Sequence, residues 1–367
     1  RMVKNPRRGG GHLSLVIFRL HQNNLISGGA MSKKVSMDDI AKKLGVSKNT
    51  VSLALRNMPL ISAKTKGLVQ STAKEMGYVY EARNNPPCLS KDQNKNICML
   101  VPRNIRNIEF FSLIQFGIEK EARKHNLNII LYYVDENGFD APPACITEQT
   151  ADGIIMLGCL PKTLVSQICS FGLPIVSVDN YYDNILIDYI LTDNITSSFN
   201  MTDHLIKNGH KRIGFFGNIK LSSSFFDRYL GYYKAIQANN LCFGEEWIIK
   251  NNLSDYNVIL EHLKAGRSGL PSAFFCVNDV HAIKLIKALE DLSVTVPNEV
   301  SVSGFDDIPQ SEECVPKLTT IHVYKELTGE TAVLRLVSIM ENRKQVPEKI
   351  LISTKLVERD SVRRLSS

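Results

Sequence analysis

The larger, C-terminal part of the chain alternates short apolar segments with amphipathic ones, and this alternation constrains the possible fold more than any other feature. Residues 96–102 (NICMLVP) and 153–157 (GIIML) are almost entirely apolar and have the length of single strands. Residues 111–125 carry apolar side chains at helical spacing. Strands of this kind alternating with helices predict parallel sheets covered by helices on both faces.

The same pattern continues to about residue 304. The predicted strands cover 96–102, 127–134, 153–157, 174–178, 212–216, 273–277 and 300–304. The predicted helices cover 111–125, 194–208, 227–239 and 279–289. This number of elements exceeds one ordinary core and predicts two doubly wound α/β lobes.

Charge separates the N-terminal region from this body. The chain has 44 Lys and Arg against 37 Asp and Glu, for a net charge of +7. Residues 31–85 contribute ten basic and four acidic side chains, whereas the residues after 85 are slightly acidic. A basic head on an acidic body indicates a polyanion partner for the head, and the alternative is a solvated basic helix pair without a partner.

Residues 37–55 (MDDIAKKLGVSKNTVSLAL) carry the pattern of two short helices joined by a turn. Gly45 lies where the turn needs a positive φ angle, and Ser47 can cap the second helix. Ser62 can cap a third helix that runs to about Met76. The pattern predicts an all-α helix-turn-helix head whose second helix enters the DNA major groove. The alternative is a three-helix cap with no DNA role.

The first turn of the second helix carries side chains suited to DNA. Asn49 can read adenine through a bidentate contact, and Lys48 can reach guanine acceptors or phosphate. Short hydroxyl and amide donors suit phosphate oxygens, and a leucine can contact a thymine methyl group. The candidates for DNA contacts are Ser47, Lys48, Asn49, Thr50, Leu53, Asn57 and Ser62.

The sequence argues against several other classes of protein. The eight cysteines show no CxxC spacing, so no metal site is expected, and reduced thiols fit a cytoplasmic, nucleoid-associated protein. No apolar run approaches the length of a membrane span. There is no P-loop, GxSxG elbow or HExxH motif, so neither an enzyme nor a cofactor is expected.

The stretch DDIAKKLGVSKNTVSLALRN resembles the head of the lactose-repressor/galactose-repressor family of bacterial transcription regulators. Later motifs resemble that family's landmarks in the family's order, from about Val35 to Arg364. They are DGIIMLG, PIVSVDN, HLIKNGHKRIGFFG, DRYLGYYKAI, NDVHAIKLIKAL, VPNEVSVSGFDDIP, LTTI and LVERDSVRR. The resemblance implies a body similar to periplasmic sugar-binding proteins, with a ligand between the two lobes.

Two positions depart from the family's pattern. Leu53 stands where the family usually has an arginine after T-V-S, so the operator is expected to differ from the commonest family sites. The family's hinge helix usually contains A-R-S-L-R, whereas residues 83–87 here are RNNPP. Two consecutive prolines oppose a helix, which leaves operator kinking by such a hinge in doubt.

These observations predict the following domain boundaries. Residues 1–30 precede Met31, which opens a sequence typical of an ordinary start, and are expected to be a non-native or disordered leader; the alternative is a basic arm on DNA. The other predicted units are the head (31–80), a linker (81–95) and an effector-binding domain (96–367). Its N-lobe comprises about 96–192 and 322–346, and its C-lobe about 193–321 and 347–367.

Polar side chains directly follow several apolar strands, where α/β folds place their ligands. Carboxylates and amides there suit a polyol, an arginine adds a fork of donors, and an aromatic ring can stack on a sugar. The ligand-binding candidates are Phe110, Asp179, Arg228, Asn278 and Asp306. Asp279 is expected to cap a helix, and Asp307 to be a solvated turn residue.

The sequence therefore predicts a transcription regulator that represses a carbohydrate-utilisation operon. Its expected partners are double-stranded operator DNA, a small effector such as a sugar, and a second copy of the chain. Two alternatives remain open. The effector can instead be a nucleoside, purine, phosphosugar or protein corepressor, or the chain can be a sugar-binding transport component.

Overall fold

A computed structural model describes residues 35–55, 61–78, 95–135, 141–241, 244–249, 256–266, 269–342 and 346–365. The chain divides into two compact units, Arg1–Lys91 and Asp92–Ser367. The predicted leader, the prolines of the predicted linker and Asn57 lie outside the described residues. Lys95, assigned above to the linker, instead begins the first strand of the second unit.

The described part of the first unit contains three helices: α1 (Met37–Leu44), α2 (Lys48–Leu55) and α3 (Ala63–Glu75). Ser36 caps α1 in a capping box with Asp39. Gly45 follows α1 with a φ of 64°, as the turn was predicted to require. The three helices bury one apolar cluster, which includes Ile40, Ala41, Val51, Ala54, Val69 and Ala73.

The second unit alternates strands and helices through most of its length. Its described strands are β1 (Lys95–Pro102), β2 (Leu127–Val134), β3 (Gly153–Leu157), β4 (Ile175–Val178), β5 (Asp188–Thr192), β6 (Ile213–Phe216), β7 (Ile248–Ile249), β8 (Ala273–Cys276), β9 (Ser301–Ser303), β10 (Thr320–His322), β11 (Lys349–Ile352) and β12 (Lys355–Val357). Its described helices are α4 (Glu109–Lys124), α5 (Ala144–Thr147), α6 (Lys162–Cys169), α7 (Asn194–Lys207), α8 (Ser223–Ala238), α9 (Tyr256–Ala265), α10 (Asp279–Asp291), α11 (Gln310–Glu313) and α12 (Lys325–Glu341).

Two parallel sheets organise these elements, which confirms the predicted fold class. The first has the order β11-β5-β4-β3-β1-β2 and the second β7-β6-β8-β9. Successive side chains of β1 pack in two different clusters of buried apolar residues. Ile97 and Met99 belong to one cluster, and Cys98 and Leu100 belong to the other. Side chains of a strand point to alternate faces, so both faces of this sheet are covered, as its apolar sequence predicted.

The chain passes between the two sheets more than once. After the second sheet, α12 packs on α4 so closely that a Cβ on Gly329 would lie 2.1 Å from the Ile114 carbonyl oxygen. The chain then adds β11 to the first sheet beside β5, before β12 pairs antiparallel with β10. The boundary predicted at 347 was therefore wrong, because residues 349–352 complete the sheet of the N-lobe.

None of the described helices combines the length and apolar composition that crossing a membrane requires.

Candidate DNA-binding surface and effector site

The first turn of α2 presents a polar surface to solvent. Ser47, Lys48 and Asn49 are exposed, whereas Val51 and Ala54 are buried in the core of the head. The helix therefore keeps its apolar face for packing and leaves its N-terminal side chains available to a partner. This arrangement matches the docking of a recognition helix.

Ser47 caps α2, as predicted. Its Oγ accepts a hydrogen bond from the Thr50 backbone N–H at 3.1 Å and lies 2.9 Å from Thr50 Oγ1. Lys48 Nζ donates to Asp38 Oδ2 at 3.0 Å, and both side chains are more than half exposed. An exposed ion pair of this kind contributes little to stability, so DNA phosphate can replace the carboxylate as partner of Lys48.

The other candidates in the described part of the head are Ser62, Thr50 and Leu53. Ser62 caps α3 by accepting a hydrogen bond from the Thr65 backbone at 3.1 Å, also as predicted. Thr50 and Leu53 are half-buried. The DNA contacts assigned to these residues remain predictions.

Arg228, on α8, is the centre of the polar cluster in the second unit. It is only 2% exposed, and each nitrogen of its guanidinium has a partner. Nε donates to Asn194 Oδ1 at 2.9 Å, Nη1 donates to the Val277 carbonyl at 2.8 Å, and Nη2 lies 2.9 Å from Asp306 Oδ1. The guanidinium carbon lies 3.8 Å from the centre of the Phe305 ring, so the cation also stacks on an aromatic face.

Asp179 and Asp306 are the buried carboxyls beside this cation. Burial raises the pKa of Asp179 to about 7; Arg228 opposes that rise and Asp306 adds to it. Burial also raises the pKa of Asp306, against the effect of Arg228 and Lys325. Three of the five predicted ligand residues therefore converge, from the ends of β4 and β9 and from α8.

A buried lysine supports the loop that carries Asp306. Lys325 Nζ donates hydrogen bonds to the backbone carbonyls of Asp306 and of Asp307, the latter at 2.9 Å. Asp307 is not a solvated turn residue, because its carboxylate lies 2.8 Å from Arg359 Nη2 and 2.7 Å from His322 Nδ1. The loop after β9 is thereby tied to the segments that connect the two sheets.

Two of the predicted ligand residues are engaged elsewhere. Phe110 is 6% exposed and packs in the apolar core, where its ring contacts Phe111 edge-on, so little of its face remains for stacking. Asn278 Oδ1 caps α10, because it accepts hydrogen bonds from the backbone N–H of His281 at 3.0 Å and from its ring at 2.6 Å.

Asp279 does not cap α10, contrary to the prediction. It is fully buried and accepts hydrogen bonds from Thr320 Oγ1 at 2.5 Å and from the Ile308 backbone at 3.0 Å. Burial, with Asp306 nearby, raises its pKa to about 8. The prediction assigned the cap to Asp279 and a ligand contact to Asn278, because a sequence does not show which of two neighbouring side chains is buried.

Contacts between the two lobes lie next to this cluster. Asn180 Oδ1 accepts hydrogen bonds from the backbone and hydroxyl of Ser223, at 3.1 and 3.0 Å. The Tyr181 hydroxyl donates to Asp227 at 2.9 Å. The loop after β4 is therefore joined to the first turns of α8, so a ligand held here contacts both lobes.

Sequence reasoning missed Asn194 and Lys325. Asn194 begins α7 two residues after the end of β5, close to the kind of strand-end position that identified Asp179, and this pattern could have identified it. Lys325 gave no such indication, because a lysine at a helix start ordinarily faces solvent.

Comparisons with known proteins agree with this architecture. The family model described as bacterial regulatory proteins, lacI family, matches residues 36–80, and the periplasmic binding protein-like domain matches 202–362. The chain is 30% identical over 335 residues to the NTD biosynthesis operon regulator NtdR of Bacillus subtilis, covering 89% of this chain and 99% of that protein. It is 27% identical over 336 residues to the transcriptional repressor PurR of Yersinia enterocolitica, covering 89% and 96%.

Solved structures show the same fold. The lac repressor dimer bound to operator superposes with a TM-score of 0.63 and 22% identity, covering 90% of this chain and all of that one. The curated relatives are transcription regulators, not enzymes. This chain belongs to the LacI family of bacterial regulatory proteins, and it is a DNA-binding transcription regulator with an effector-binding domain.

Proposed function

We propose that this chain represses a carbohydrate-utilisation operon by binding a pseudo-palindromic operator as a homodimer in the cytoplasm. A small polyhydroxylated effector binds between the lobes and changes their relative orientation. That change alters the spacing of the two heads and hence their fit to two half-sites.

The observation that carries the DNA-binding part is the first turn of α2. Ser47, Lys48 and Asn49 are exposed at the start of a helix whose opposite face packs in the core of the head. Four of the candidate DNA contacts, Ser47, Lys48, Asn49 and Thr50, lie at this turn, and Asn49 is the proposed base reader.

The effector part is supported by the cluster around Arg228. Asp179 and Asp306 contribute oxygen atoms and Arg228 contributes a stacked guanidinium, in a region that both lobes enclose. Paired donors and acceptors of this kind suit vicinal hydroxyl groups. Asn278 and Phe110 are proposed only as minor ligand contacts, because Asn278 caps a helix and Phe110 packs in the core.

A gel-shift titration with the DNA upstream of this gene and its neighbours tests the proposal. We expect binding that weakens steeply with salt, since phosphate contacts release counterions. Asn49→Ala should weaken it, whereas Gln70→Ala, an exposed change on α3, should leave it unchanged. No binding of the upstream DNA at low salt would contradict the proposal.

A further inference from the structure

Both cations that the structure describes in the polar cluster of the effector site, Arg228 and Lys325, already have partners. Each nitrogen of Arg228 already has a partner, namely Asn194, Val277 or Asp306. Lys325 is also committed, because its ammonium donates to backbone carbonyls at the loop after β9. Within the described residues that form this cluster, an incoming phosphate or carboxylate would have to share the two cations with the partners that they already have.

Carboxyl groups, in contrast, outnumber the cations in this cluster. Asp179 and Asp306 flank one guanidinium, and Asp279 lies behind Asp306. The neighbouring His281 adds no charge, because burial lowers its pKa to about 4. Three carboxyl groups, Asp179, Asp279 and Asp306, therefore stand against two cations, and a further positive charge would favour their ionised forms.

Asp179 in particular has unused bonding capacity. Its Oδ1 is buried and accepts no hydrogen bond from any described residue. Its backbone has a φ of 63°, a region that residues other than glycine rarely occupy, directly after β4. A buried carboxylate oxygen without a donor costs free energy, and strained residues of this kind concentrate at ligand sites.

We propose that Asp179 binds a protonated amine of the effector, and that the effector is an amino-substituted polyol and not a phosphosugar or a uronic acid. An ammonium group supplies up to three donors and a positive charge beside the carboxyl oxygen of Asp179 that has no donor. The remaining hydroxyls of the ligand meet Asp306 and the neighbouring loops. This inference rests on the proposed function, since it takes the interlobe cluster as the effector site.

Thermal unfolding of the full-length protein with matched sugars tests the inference. The probes are glucosamine, galactosamine and mannosamine at millimolar concentration, each with its parent hexose and the corresponding hexose 6-phosphate, together with glucuronate and galacturonate. We expect at least one amino sugar to raise the unfolding temperature and to bind about tenfold or more tightly than its parent hexose, since hydrogen bonds to charged groups are the stronger ones.

Two variants assign the preference to one carboxyl. Asp179→Asn should abolish the advantage of the amino sugar over its parent, while Asp183→Asn, an exposed change on the same loop, should preserve it. If Asp179→Asn does not fold, the ranking of the sugars by the wild-type protein still decides. Stabilisation by a 6-phosphate or uronate, equal binding of amine and parent, or no binding by any amino sugar would overturn the inference.

The result is separable from the proposed function, because unfolding temperatures are measured without DNA. Failure to bind operator would remove the proposed function and leave the ligand preference intact. An amino sugar that binds without altering the gel shift would establish the ligand class and contradict its role as effector.

Discussion

Arg228 is a long cationic side chain held almost entirely out of water. Such a burial is tolerated only because an ion pair, two hydrogen bonds and an aromatic face replace the lost hydration. The same contacts hold Asp306 in place. The stability of the effector domain therefore depends on this side chain, which the proposed function also makes a ligand contact.

Truncation of this residue should be costly. Arg228→Ala leaves Asp306 and Asp179 buried without their cation, so we expect a loss of about 3–5 kcal/mol in the free energy of unfolding. Urea unfolding followed by fluorescence of Trp247, the single tryptophan of the chain, measures it. Adding Asp306→Asn should recover part of the loss, and strictly additive effects would contradict the proposed pairing.

Substitutions of Asn49 and Lys48 should affect DNA binding in different ways, although the two residues are neighbours. Asn49→Ala should cost about 1–3 kcal/mol at one base position and little on scrambled DNA, because its amide reads a base edge. Lys48→Ala should weaken matched and scrambled DNA alike, because its expected partner is phosphate. Competition gel shifts on both DNAs compare them. An equal loss on matched and scrambled DNA for Asn49→Ala would refute base reading.

At the scale of elements, the head depends on the turn between α1 and α2. Gly45 ends α1 in the left-handed region, and a Cβ there would meet no atom within 4 Å. Any cost of a side chain at this position is therefore conformational and not steric. Gly67 also has open space around a Cβ, but it lies inside α3, where glycine is unfavourable.

These two glycines form a matched pair. Gly45→Ala should destabilise the head by about 1 kcal/mol or more, while Gly67→Ala should stabilise it by about 0.5–1 kcal/mol. Hydrogen exchange of peptides from residues 37–78, measured in the full chain, reads out both. The same sign of change in both variants would contradict the backbone explanation.

At the scale of the whole molecule, the buried carboxyls of the effector domain make its stability depend on pH. Burial raises the pKa of Asp179 to about 7 and of Asp279 to about 8, from an ordinary value of 3.8. The folded state then holds protons that the unfolded chain has released. The contribution of these groups to stability is greatest below about pH 4 and is lost as the pH rises towards 8.

Removal of one of these carboxyls should flatten this dependence. Asp279→Asn cannot ionise, so the free energy of unfolding should fall less steeply between about pH 4 and pH 8 than in the wild-type protein. Urea titrations at several pH values test this, with the exposed Asp183→Asn as control. A slope unchanged by Asp279→Asn would place the linked protons elsewhere.

Much of the fold could be predicted because it depends on local patterns. The predicted helix over 279–289 is observed as Asp279–Asp291, and the predicted strand over 127–134 has the same bounds. The short strands β11 and β12 and the helix α12 were not predicted. In β11 the apolar Leu351 lies on the exposed face, so the sequence KILI shows no polar–apolar alternation.

The sequence by itself determined the two-part organisation, the three helices of the head with the caps of the second and third, the parallel sheets and the family. All of these follow from periodicity, capping residues and ordered motifs, which neighbouring residues encode. The tertiary structure alone decided that Asn278 and not Asp279 caps α10, and that Phe110 packs in the core. It also decided that Lys325 holds the loop of Asp306. These outcomes depend on contacts between side chains that are far apart in the sequence, and short-range sequence patterns do not encode such contacts.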